Sequence, residues 1–261
     1  MKRDFTLSKY RDLLESFLKH DYNVVSYESY IKNAASEKTL IMRHDVDKLP
    51  QQSLEKAKIE HSLGIKATYY FRIVPESNDS GVISRIASLG HEIGYHYEDL
   101  TLTKGKIEQA IIQFEKHLQY FRTLYPVCTI CMHGSPTSKW DNRLIWESLD
   151  YTTYGIIGEP YFDLDFNLIL YITDTGRSWS GSKSSVRDKV FSDLQNSFCF
   201  QSTDDIMNCL EHEMLPNQIM INTHPQRWHD NLLPWCNEYV SQNFKNVIKR
   251  MLFVKGTITS E

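Results

Sequence analysis

No apolar run in this sequence approaches the length needed to cross a bilayer. The basic start, residues 1–11, is not followed by the apolar stretch of a secretory signal. Cysteine is scarce and odd in number, five residues at Cys128, Cys131, Cys199, Cys209 and Cys236, which argues against a disulfide framework. Cys128 and Cys131 have the spacing of a zinc knuckle or redox pair, but no second such pair exists. They also fall in the apolar run 127–132, where strand geometry turns them to opposite faces, so they read as buried thiols. A surplus of positive charge is missing as well: the net charge is -4, with Lys and Arg scattered, which gives no footing for nucleic acid. Internal repeats are absent. What remains, 41% hydrophobic and 24% charged, is the composition of a soluble globule, expected to be cytoplasmic. At 261 residues the chain can bury one large core, and a single domain over 1–261 is expected. The one linker-like stretch, residues 180–185, is too short to divide it. Nothing in the sequence marks an oligomeric state.

The chain is organised around residues 40–50, LIMRHDVDKLP. An apolar strand opens into Arg43, His44, Asp45, Val46 and Asp47, and Pro50 ends whatever regular structure precedes it. Two carboxylates at a strand mouth can divide labour, one binding a metal while the other handles protons. Further on, strand and helix signals alternate: helices over 5–20, 51–63, 82–89, 104–122, 141–149, 204–213 and 233–250; strands over 40–42, 65–73, 91–96, 127–132, 154–157, 168–172 and 218–222. Residues 161–167 hold a second pair of aspartates, Asp163 and Asp165, but read as a turn. Such alternation predicts a mainly parallel sheet with helical crossovers, open or closed into a barrel, with ligands at the C-terminal strand ends. Asp45, Asp47, His96, His133, Asp174 and His224 all fall at those ends.

Arg43-His44-Asp45-Val46-Asp47, the stretch from Gly90 to His96 (GHEIGYH) and the late Asn222-Thr223-His224-Pro225 together resemble the polysaccharide deacetylase (NodB-homology) superfamily, in its surface-polysaccharide-associated branch. The resemblance implies an α/β fold, a distorted (β/α) barrel. It implies a divalent metal, most often zinc, and an N-acetylated sugar or glycan as substrate. By the same token it makes Asp45 the general base, Asp47 and His96 metal ligands and His224 the general acid, with a metal-activated water attacking the amide carbon. Asp174 or Arg177 would tune His224 or Asp45 through charge, and Trp179 and Trp228 offer flat faces for a sugar ring or an acetyl methyl. His44 and His91 are supporting or structural residues, while His61, His117, His212 and His229 read as surface residues.

One departure stands out. The family's second metal histidine lies four residues after the first, where this chain has Leu100. His133, at the end of its own strand, is the first candidate to complete the site, with Glu98 and Asp99 as alternatives. The family's Arg-Pro pair on the middle strand is replaced here by His133-Gly134-Ser135-Pro136. The leading expectation is a metal-dependent carbohydrate deacetylase. Two others compete: a non-catalytic glycan-binding protein on the same scaffold, and a hydrolase of another linear or cyclic amide C–N bond.

Overall fold

The computed structural model of the chain describes residues 3–33, 36–134, 138–147, 149–179, 190 and 192–256, the last eight by backbone alone. Residues 180–185 and the pair Ser135-Pro136 lie outside the described residues.

Seven strands form one sheet: β1 (Asn23–Val25), β2 (Thr39–Val46), β3 (Thr68–Phe71), β4 (Glu92–Tyr97), β5 (Ile130–Met132), β6 (Leu170–Thr173) and β7 (Gln218–Thr223). Every pairing is parallel, in the order β5-β4-β3-β2-β7-β6. β2 is the centre: β7 follows one of its edges, while β1 covers Thr39–Ile41 and β3 covers Arg43–Val46 on the other. Parallel neighbours need crossovers, and helices supply them. The sheet curls into a half-barrel, and among the described residues no pairing joins β5 to β6. The fold is therefore a distorted (β/α) barrel with an open seam.

The period-two alternation of a strand divides each one between two environments. On β2, Leu40, Met42 and Val46 face outward into the helix-covered core, while Ile41 joins Tyr70, Cys131, Tyr171 and Met220 inside the curl. Arg43 and Asp45 share the register of Ile41 and so point inward as well. The helices take their places for ordinary reasons. Thr6 caps Leu7–Lys19 by accepting from the Lys9 amide, and that helix buries Tyr10, Leu13, Leu14 and Phe17. Ser202 and Asp205 form a capping box on Thr203–Glu211.

Three expectations need correction. Residues 154–157 are not a strand: Asp150 caps a 3-10 turn, Tyr151–Tyr154, which Gly155 ends at φ 69°, and only a single bridge from Thr129 to Gly158 reaches the sheet. β2 runs four residues further than its apolar segment, because its polar residues find partners inside the curl. The C-terminal helix extends to Gly256, and no helix among the described residues is long and apolar enough to cross a membrane.

Candidate functional site

The inward register of β2 delivers Arg43 and Asp45 to the same face. Arg43 grips the carboxylate two residues on with a fork, Nε to Oδ1 at 3.0 Å and Nη2 to Oδ2 at 2.8 Å. Asn222, at the facing position of β7, donates a third hydrogen bond to Oδ2 at 2.8 Å. Burial opposes charge on Asp45, but Arg43 and then His96 outweigh it, and the carboxyl is held far below its usual range. Asp45 is thus fixed in place and ionised.

Asp47 follows where the strand has given way to a turn. Gln226 donates to its Oδ2 at 3.1 Å. Its Oδ1 is buried and has no hydrogen-bond partner among the described residues. That oxygen faces two imidazole nitrogens, His133 Nε2 at 3.5 Å and His96 Nε2 at 3.8 Å. Ligand atoms of Asp47, His96 and His133 all lie within 4.8 Å of one another.

The rings are oriented from behind. His96 Nδ1 lies 2.9 Å from the Cys131 carbonyl, and His133 Nδ1 lies 3.0 Å from Glu98 Oε2. Both partners only accept, so each Nδ1 carries the hydrogen and, when the ring is neutral, its Nε2 lone pair faces Asp47. Burial opposes charge on His133, but Glu98 and then Asp47 outweigh it and raise the imidazole above its usual value, so that a bound cation would displace a proton there. Desolvation lowers His96 to about 4, keeping it neutral at physiological pH. An orphaned buried carboxylate oxygen beside the Nε2 atoms of two imidazoles is a donor set that fits a divalent cation.

His224 closes the cluster on its other side, with Nε2 at 3.9 Å from Asp47 Oδ2. Its Nδ1 donates to Asp174 Oδ1 at 2.6 Å. Asp174 is fully buried and also accepts from the His224 amide, from Arg227 and from Trp228 Nε1 at 2.7 Å. Burial works against its charge, yet Arg227 and His224 bring the carboxyl down to about 2. The cluster opens onto a cleft of about 490 Å³ walled by Asp47, His133, Arg72 and Gln226, with Glu238 and Gln242 contributed by the C-terminal helix.

Of the residues singled out from sequence, Asp45, Asp47, His96, His133, Glu98, Asp174 and His224 converge here. Others do not. His44 has the opposite register on β2 and faces outward, bonded to Thr223 and Glu60. Arg177 does not touch His224 or Asp45; its guanidinium lies 4.6 Å from the centre of the Trp235 ring. Trp179 and Trp228 are core residues packed on each other and on Phe5, so neither offers a face to a sugar. Trp228 serves the site from behind, through Asp174. Leu100 is buried in the core, and Asp99 turns away to Tyr95 and His117. His117 is accordingly tied to a buried carboxylate, and His229 is buried.

The sequence reading passed over Asn222 and Arg43 as site residues although both stood in its motifs, and inward register on a strand was the available signal. Gln226, Arg227 and Arg72 carried none. Nor did Cys131, which faces Asp45 and His96 from inside the curl.

Neither a search against family profiles nor one against curated proteins finds a match for this chain. Several solved chains are similar to it, among them the three that follow. The Xyl-CE4 domain of a multidomain xylanase from the hindgut metagenome of Trinervitermes trinervoides is 14% identical, with 85% of each chain covered and a TM-score of 0.40. A mutant of a CE4 family pseudoenzyme with restored enzymatic activity is 11% identical, covering 82% of this chain and 64% of that one, with a TM-score of 0.44. Bacillus subtilis PdaA, a family 4 carbohydrate esterase, is 10% identical over 90% and 84% of the two chains, with a TM-score of 0.40. With TM-scores below 0.5 throughout, what this chain does has to be read from its own side chains.

Proposed function

We propose that this chain is a metal-dependent hydrolase that removes an acetyl group from an N-acetylated sugar or glycan. The observation that carries the reading is the buried, unpartnered Oδ1 of Asp47 set against the Nε2 atoms of His96 and His133. Asp47, His96 and His133 would hold the ion; two imidazoles and a carboxylate suit zinc. When bound, such an ion supplies Lewis-acid polarisation of the amide carbonyl and makes a water acidic enough to attack.

The chain's own residues supply the rest. Asp45, ionised and held by Arg43 and Asn222, accepts the attacking water's proton. Its carboxylate is a weak base, so it can serve only a water that is already acidified. His224 presents Nε2 on the far side of Asp47 and protonates the departing amine, a poor leaving group otherwise. Asp174 fixes the tautomer and orientation of that imidazole. The cleft, about 490 Å³ and lined by polar side chains, has room for one sugar residue and its acyl group.

The test is metal analysis of protein purified without chelator, together with acetate release from a panel of N-acetylated sugars and small cyclic amides. One divalent ion per chain is expected, lost in Asp47→Ala. Asp45→Asn is expected to keep the ion and lose about 10²- to 10⁴-fold in turnover. No ion in the wild type, and no acetate released after metal addition, removes the reading. Cleavage of cyclic amides alone would move the chemistry to another substrate class.

A further inference from the structure

The three candidate ligands stand at the ends of three separate strands, β2, β4 and β5. A ligand pair four apart on one helix is held rigid by that helix. Here, with leucine at position 100, Asp47 and His133 come from strands separated by two others in the sheet, and the His133 amide is tied only as far as the Tyr97 carbonyl of β4, at 2.9 Å. A side-chain cross-link spans those strand ends.

Arg72, just beyond β3, holds Glu98 in a bidentate fork, Nε to Oε1 at 2.7 Å and Nη2 to Oε2 at 2.8 Å. Its third nitrogen, Nη1, donates to the backbone carbonyl of Asp47 at 3.2 Å. Glu98 Oε2 in turn accepts from His133 Nδ1 at 3.0 Å. The same loop is tied again where the Arg72 amide donates to Ser77 Oγ at 3.0 Å and the Ser77 hydroxyl donates to the Val46 carbonyl. Glu98 begins the helix Asp99–Leu102 yet makes no capping bond to it, so its carboxylate is directed to Arg72 and His133.

Resting on the metal reading above, we infer that Arg72 and Glu98 form a positioning clamp that sets the spacing between Asp47 and His133 and takes the place of the absent four-spaced histidine. Arg72 does so with one rigid guanidinium, whose planar fork matches a carboxylate while a spare donor reaches the Asp47 turn. Lysine, a single point donor, cannot make all three bonds.

The prediction concerns metal affinity, which is measured without turnover. Protein stripped with chelator is titrated with Co²⁺, followed by its visible d–d absorption, and with Zn²⁺ in competition. Glu98→Gln and Arg72→Lys are each expected to weaken binding by about ten- to a hundredfold, as loss of a ligand's supporting partner does. The double variant is expected to be little worse than either single one, because both act through one unit. Chemical denaturation of each variant separates weak binding from failure to fold. NMR of the wild-type imidazoles at alkaline pH needs no variant, and is expected to show hydrogen on Nδ1 of His133 and a bare Nε2. Wild-type affinity in both variants, or hydrogen on Nε2 of His133, overturns the clamp while leaving the metal reading intact. A wild type that binds neither ion overturns both.

Discussion

Asp174 accepts from His224, Arg227 and Trp228 and is fully buried, so little about it can change without a local consequence. Asp174→Asn keeps the size but removes the charge that favours hydrogen on His224 Nδ1. An amide can donate to that nitrogen instead, leaving a neutral ring with hydrogen on Nε2, a far weaker acid toward the departing amine than an imidazolium. Turnover is expected to fall by about 10²- to 10⁴-fold, with Co²⁺ affinity unchanged, because His224 is outside the ligand set. An equal loss of metal affinity would show that His224 is itself a ligand. The aspartates and histidines of the site were legible in the sequence because polar residues at the end of an apolar strand have few other reasons to be there. Trp179 and Trp228 were not, since an aromatic side chain suits a core and a sugar platform equally well and only its neighbours decide. Gln226 and Arg72 were invisible for a different cause: each acts through a contact with a residue far away in sequence, 179 and 26 positions respectively.

The short helix Asp99–Leu102 explains why the third ligand sits elsewhere. It begins directly after β4, and Leu100 is 1% exposed among the core side chains. Putting histidine there would not rebuild a helical ligand pair, because the side chain at position 100 is directed into the core. Leu100→His is expected to leave metal stoichiometry at about one ion per chain and to cost about 2–5 kcal/mol, from lost packing and an unsatisfied imidazole. Urea denaturation measures the cost, and a second bound ion would contradict the placement. Gly94 of β4 shows the same tightness inside the curl: an added Cβ would lie 2.3 Å from the Tyr70 ring and 3.1 Å from the Thr129 carbonyl oxygen. Gly94→Ala is therefore expected to lower the urea midpoint and disturb the neighbouring His96; an unchanged midpoint would mean that Tyr70 swings aside at no cost. Elements were legible where apolar periodicity was long and failed where it was short. Residues 154–157 look like a strand only until Asp150 and Gly155 are recognised as the cap and stop of a 3-10 turn.

The parallel sheet as a whole has a second polar layer that the proposed chemistry does not use. On its outer face, Glu60 accepts from Tyr10 and Tyr69 and lies 2.6 Å from His44 Nε2, while Lys56 donates to Thr223 beside them. Among the described residues Lys56 makes no ion pair, and its ammonium sits over the Tyr10 ring at 3.7 Å and the Trp228 ring at 4.6 Å. Burial disfavours the charge, while the Asp174 and Glu60 carboxylates nearby and the two ring faces favour it. Burial prevails, and Lys56 is brought down from 10.5 to about 7. In the unfolded chain the same lysine keeps its proton to about its ordinary value. Between about pH 7 and pH 10 the unfolded state therefore binds more protons, and Lys56 makes folding more favourable as pH rises through that window; below it, both states are charged and the slope vanishes. Lys56→Met removes the titration and keeps the volume. Relative to that variant, the wild type is expected to gain up to ~1.4 kcal/mol per pH unit between pH 7 and 9, read from urea midpoints in parallel series. Parallel curves would mean that Asp174, Glu60 and the two aromatic faces together keep Lys56 charged in the folded protein against desolvation.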